Sequence, residues 1–167
     1  MMPRRVSARR RRGVRGSQML EFALIGIPFI FLILAIVQMS IGMFTYNTLA
    51  SAVDLGARYA SVRPKGSVGS VAKQIVGNSP GLLPGNLSLV MSGTVNGVSA
   101  NVATCLASSC VSQMGTVFPT GTALADTVTI SGTYPFATPL AVFWPAEGVL
   151  HLAGTVTLGA TTTQLIQ

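Results

Sequence analysis

The sequence predicts an α+β protein whose long N-terminal helix crosses a membrane and whose outer half carries a small antiparallel β-sheet. Three observations predict it. Phe22 to Phe44 is an unbroken apolar stretch without a charge, apolar positions continue at helical spacing to about Ala60, and from Leu87 onward the period changes to the alternation of strands. Composition points the same way: 49% of the 167 residues are hydrophobic and 9% are charged, against about 25% charged in an ordinary soluble domain. That balance excludes a free cytosolic domain.

The formal charge of +7 would ordinarily suggest nucleic acid or an anionic membrane surface. Its distribution overturns that. Seven of the eleven cations (Arg4, Arg5, Arg9, Arg10, Arg11, Arg12 and Arg15) lie in the first 15 residues, and residues 17–167 hold four cations against four acids. The basicity belongs to a leader, and the rest of the chain has too few cations for a nucleic-acid footprint. The charge-free run has only Gln38 and Ser40 as clearly polar side chains. As a helix it is roughly 35 Å long, enough for a hydrocarbon core of about 30 Å. Arginines held back by the positive-inside bias put the N-terminus in the cytoplasm and residues 45–167 outside. Pro28 and Gly26 lie within the span, where neighbouring helices can re-satisfy freed backbone groups. A bend near Leu24 and an ordinary tolerated kink both remain open.

This front end allows three readings. A cleaved secretory signal would use Ala50-Ser51-Ala52 as its small-x-small site, although the apolar core is long for one. A plain anchor would stay uncut. The third reading comes from Glu21, a carboxylate at the mouth of the apolar run, where an acid costs a few kcal/mol if inserted and calls for a named partner. If the chain is cut after Gly16, Ser17 becomes residue one and Glu21 residue five of the product.

The stretch RRRRGVRGSQMLEF therefore resembles the class III signal of type IV pilins and pseudopilins: a basic leader, glycine at the cut, glutamate at the fifth mature position, phenylalanine (Phe22) at the sixth, then an apolar helix. Asn47 to Ser61 (NTLASAVDLGARYAS) and Asp126 to Phe136 (DTVTISGTYPF) further resemble the TadE-like minor pilins of tight-adherence (Tad, or Flp) pili. The resemblance implies a type IV pilin-like fold with a cleaved leader over 1–16, a long helix over 17–61 spanning the membrane at about 22–44, and an extracytoplasmic domain over 62–167. It implies a prepilin peptidase cutting between Gly16 and Ser17, other pilin or pseudopilin subunits and inner-membrane Tad assembly proteins as partners beside the lipid bilayer, and a place in the bacterial inner membrane with the C-terminal domain periplasmic or extracellular. On this resemblance the protein is a minor pilin or pseudopilin contributing to pilus biogenesis and surface adhesion. The family's major pilin is much shorter than the 151 residues left here after cleavage and usually has tyrosine after the glutamate, so Phe22 and the length both argue for a minor component. Residues 62–125 carry no recognisable motif. The alternative is a membrane-anchored or secreted β-rich binding module with an unknown ligand.

Beyond the span, Leu49, Val53, Gly56 and Ala60 share a helix face whose small residues would let a sheet dock closely, while Asp54 and Arg58 make an i, i+4 pair. Arg63-Pro64-Lys65-Gly66 stops the helix. A second, short helix is predicted from Ser67 or Ser70 to Val76, with a Val68, Val71, Ala72, Ile75, Val76 stripe, a serine cap and Gly77-Asn78 at its end. Ser79-Pro80-Gly81 and Pro84-Gly85 read as a loop. Leu87 to Ser92 alternates, Asn96-Gly97 between β-formers signals a type I′ hairpin, and Thr127 to Tyr134 and Val149 to Leu158 alternate as further strands. Three or four antiparallel strands with one apolar face would then cover the outer half of the helix.

Cys105 and Cys110 are the only cysteines, and outside the cytoplasm such a pair most simply forms a disulfide closing a loop. No metal or cofactor site is expected, because one C-x4-C cannot supply four zinc ligands and His151, the single histidine, is far off in a strand pattern. A Ser-His-Asp set of His151, Asp126 and one of many serines can be written on paper, but the abundance of serine makes it uninformative, and a non-enzyme is expected. Phe136, Phe143 and Trp144 lie in a proline-rich aromatic stretch that either forms an interface with a partner or closes the bottom of the sheet onto the long helix.

Overall fold

The structure is a computed structural model that describes residues 14–63, 66–118, 126–137 and 155–166. The chain divides into two compact units, Met1–Met39 and Ser40–Gln167. Helix α1, Val14–Val62, begins in the first and ends in the second, starting three residues before the expected Ser17 and ending one after the expected Ser61.

Within the first unit the described side chains of α1 are almost all exposed, among them Phe22 at 81%, although nearly all are apolar. A helix apolar all round whose side chains pack on no other described element here is suited to lipid or to other membrane helices. The stretch passes every test of length and composition for one membrane span, and this apolar helix fits a single-pass anchor. Pro28 stands inside it, so the carbonyl of Leu24 lacks the amide that an ordinary residue would offer four positions on.

In the second unit α1 ends where Pro64 bars Arg63 from helical geometry, and the Gly66 amide donates to the Arg63 carbonyl at 2.7 Å to turn the chain. Helix α2, Val68–Gly77, follows with Ser67 as its N-cap, the Oγ accepting from the Ser70 amide at 3.2 Å. At its other end the Asn78 amide donates to the carbonyls of Gln74 and Ile75 at 3.2 Å. Both boundaries lie where the serine and the Gly-Asn step predict them.

The sheet has four antiparallel strands, β1 (Ser88–Val95), β2 (Val98–Leu106), β3 (Thr127–Ala137) and β4 (Thr155–Leu165), in the spatial order β2-β1-β3-β4. Asn96 and Gly97 have φ of 53° and 79°, the positive pair that a type I′ turn requires, so the hairpin sits where the dipeptide predicts it. A bulge between Met91 and Ser92 shifts the β1–β2 register. The last strand differs from expectation. It runs on past Leu158 to Leu165, because Thr161 and Thr163 continue the alternation with hydroxyls that bond Ser131 (2.8 Å) and Thr129 (2.9 Å). The expected start at Val149 lies outside the described residues.

The core collects Leu49, Ala52, Val53, Ala57 and Ala60 of α1, Val68, Val71, Ala72 and Ile75 of α2, and Leu89, Met91, Val128 and Ile130 of the sheet, all buried. Two glycines set how closely these layers approach. A Cβ on Gly132 would stand 2.8 Å from Val53 Cγ2 and 3.2 Å from Leu49 Cδ1, so β3 lies directly against α1. A Cβ on Gly56 would stand 2.4 Å from Ile75 Cγ1. The small residue expected to admit the sheet thus admits α2, and the glycine that admits α1 is in the sheet.

Candidate functional site

Glu21 lies two turns into α1, exposed, and no side chain described from Gln18 onward pairs with its carboxylate. Gly16 and Ser17 precede it in the same helix, so the expected cut falls within helical backbone. Phe22 points away from any core, its ring 3.9 Å from where a Cβ on Gly26 would stand. The arrangement is one acid and one exposed aromatic at the start of a lipid-compatible rod. Such a carboxylate is costly in a dry environment unless a cation meets it.

The disulfide joins Cys105, next to last in β2, to Cys110 at the end of a short helix, α3 (Ala107–Cys110), with Cα atoms 5.6 Å apart. It therefore ties a strand to the helical turn that follows it. The Ala107 amide donates to the Leu87 carbonyl at 2.7 Å and the Ser108 amide to Pro84 at 3.2 Å, fixing the turn to the start of β1.

Of the aromatic stretch, Phe143 and Trp144 lie outside the described residues, as does His151. Phe136 is half-buried, with its ring 3.8 Å from the position of a Cβ on Gly42, and Tyr134 packs on the core while its hydroxyl accepts from the Leu83 amide at 3.5 Å. Phe136 thus meets α1, while Tyr134 meets the core and the loop at Leu83.

Asp126 was missed as a structural residue. It is 1% exposed, its Oδ1 accepts the Asn96 amide at 3.0 Å, and its own carbonyl accepts from Ile166 at 2.8 Å, while Oδ2 has no described partner. The carboxylate holds the hairpin turn, which commits it to architecture. An aspartate just ahead of a strand that pairs beside an Asn-Gly turn is the signal that could have found it. Gln164 reaches across from β4 to donate to Asp54 Oδ1 at 3.3 Å, while Asp54 Oδ2 pairs with Arg58 at 2.9 Å.

Neither the curated proteins nor the solved structures give a match to this chain. A protein-family comparison does, over the segment that begins at the expected cut and contains Glu21, the apolar run and the GARYA end of the outer helix. The chain has a long apolar helix and a four-stranded antiparallel sheet, an α+β arrangement like that of a type IV pilin, and its residues 16–58 are similar to the TadE-like protein family.

Proposed function

We propose that the protein is a minor pilin or pseudopilin of a Tad-type pilus apparatus, made as an inner-membrane precursor, cut by a prepilin peptidase between Gly16 and Ser17, and then taken into a fibre or its base. The observation that carries this reading is the position of Glu21, five residues from the cut at the mouth of an exposed apolar helix inside the TadE-like segment. Cleavage removes seven positive charges and creates a new α-amino group on Ser17. When helices of neighbouring subunits bundle, that ammonium neutralises the Glu21 carboxylate of the next subunit. A buried pair of this kind sets register more than stability, since removing one member strands a charge at about 3–5 kcal/mol. We infer no catalytic role, in keeping with a structural family.

The N-terminus of protein taken from the cell envelope is the test. The expected sequence is Ser-Gln-Met-Leu-Glu, whereas a start at Val53 means ordinary secretion and an uncut chain means a plain anchor. Glu21→Ala is expected to enter the membrane normally and to be absent from purified filaments and assembly complexes. Wild-type amounts there would refute the pairing.

A further inference from the structure

The tip of the β1–β2 hairpin is the dipeptide Asn96-Gly97, and both residues are exposed. Asparagine followed by glycine is among the least durable steps in a polypeptide, because glycine has no side chain to shield its nitrogen from the amide carbon beside it. Here the approach is open. A Cβ on Gly97 would meet no described atom within 4 Å, and among the described residues no acceptor takes the Gly97 amide. The other asparagines, Asn47, Asn78, Asn86 and Asn101, are followed by Thr, Ser, Leu and Val.

We propose that Asn96 is a self-modification site, at which the chain deamidates and the new carboxylate, set against Asp126, loosens the hairpin. The Gly97 nitrogen attacks Cγ of Asn96 and gives up its proton to water. The bond from Cγ to the side-chain nitrogen breaks, that nitrogen leaves as ammonia, and a cyclic succinimide remains. Water then adds to one of the ring's two carbonyl carbons and opens it, leaving aspartate or isoaspartate. Solvent is the only co-reactant.

Asp126 is both the brake and the point of damage. Ring closure needs the peptide between Asn96 and Gly97 to rotate, and the bond from the Asn96 amide to Asp126 Oδ1 at 3.0 Å holds Asn96 in the turn. The reaction therefore runs when the tip opens, and an exposed tip opens at far smaller cost than a core strand. Once formed, a carboxylate on residue 96 stands on the residue whose amide Asp126 holds. Asp126 is 1% exposed and pairs with no described cation, so two like charges share a poorly solvated turn. Isoaspartate also adds a carbon to the main chain, which a two-residue type I′ turn cannot absorb. All of this lies within the outer unit and is independent of cleavage at Gly16.

The full-length protein, aged in detergent in warm, mildly alkaline buffer, tests it by peptide mass and by isoaspartyl methyltransferase labelling. Conversion is expected at Asn96 and at none of the other asparagines. Asp126→Ala is expected to speed it roughly tenfold, the factor for losing one hydrogen bond to a charged acceptor. An Asn96 that stays intact in the folded protein while the urea-unfolded chain converts overturns the proposal, as does conversion of Asn78 at the same rate. An unchanged rate in Asp126→Ala removes the brake. Asn96→Asp supplies the product directly and is expected to unfold at lower urea than the wild type. Adding Asp126→Asn, which keeps an acceptor for the amide and removes the charge, is expected to restore the midpoint. Wild-type stability of Asn96→Asp, or no recovery in the double variant, overturns the loosening by like charge.

Discussion

At the scale of single residues, stability in the outer unit turns on atoms that are missing. Gly56 lets Ile75 come within the space of a methyl group, so Gly56→Val must push α2 off α1 or force its side chain out of a rotamer. Such overpacking costs about 1–3 kcal/mol, and urea unfolding of the detergent-solubilised protein is expected to show a loss in that range. Gly132 meets the stiffer Val53 and is expected to tolerate no larger residue either. Asp126→Ala leaves the Asn96 amide without its acceptor in a site 1% exposed. A loss of about 1–3 kcal/mol is expected by the same measurement. Asp54 and Arg58 are a lesser matter, since the arginine is 66% exposed and an exposed pair is worth about 0–1 kcal/mol.

Elements show how far the sequence could be read. The type I′ hairpin was legible because Asn-Gly is the pair that accepts positive φ twice, and α2 was legible because a serine cap and an apolar stripe agree. The C-terminal strand was misread at its end because its outer half is held by threonine hydroxyls and by pairing with β3, neither of which leaves an apolar period. Strand β2 beyond Ser99 gave no signal for a similar reason, as the bulge at Met91/Ser92 breaks its alternation. The disulfide closes a loop between strands as expected, fastening the end of β2 to α3 five residues on, in the connection to β3. A loop so short constrains the unfolded chain little, so Cys105→Ser with Cys110→Ser is expected to cost about 2 kcal/mol on the chain-entropy account. Thermal unfolding with and without reductant measures it.

For the whole molecule, charge placement decides topology. Arginines precede the apolar run and the remaining chain sums to zero, so the proposed orientation rests on residues 1–16. Replacing Arg9, Arg10, Arg11, Arg12 and Arg15 by glutamine is expected to leave a fraction of molecules with the outer unit in the cytoplasm, read as loss of its protease accessibility in spheroplasts. The site residues divide by the same logic. Gly16, Ser17, Glu21 and Phe22 could be proposed from sequence because a glycine ahead of an apolar run and a carboxylate at its mouth are local patterns. Phe136 was visible as an aromatic but its neighbour Gly42 was not, since 94 positions separate them and no local period links the two.

Sequence alone determined that one helix is long and apolar enough to cross a bilayer, that the cations precede it, and that a β-rich unit with one disulfide follows, because charge, hydropathy and turn chemistry act over a few residues. Only the tertiary structure decided that Gly56 receives α2 and Gly132 receives α1, that Asp126 is sealed beneath a turn, and that Phe136 meets Gly42. Those facts depend on which distant surfaces meet, and close packing settles that only when the whole unit is assembled.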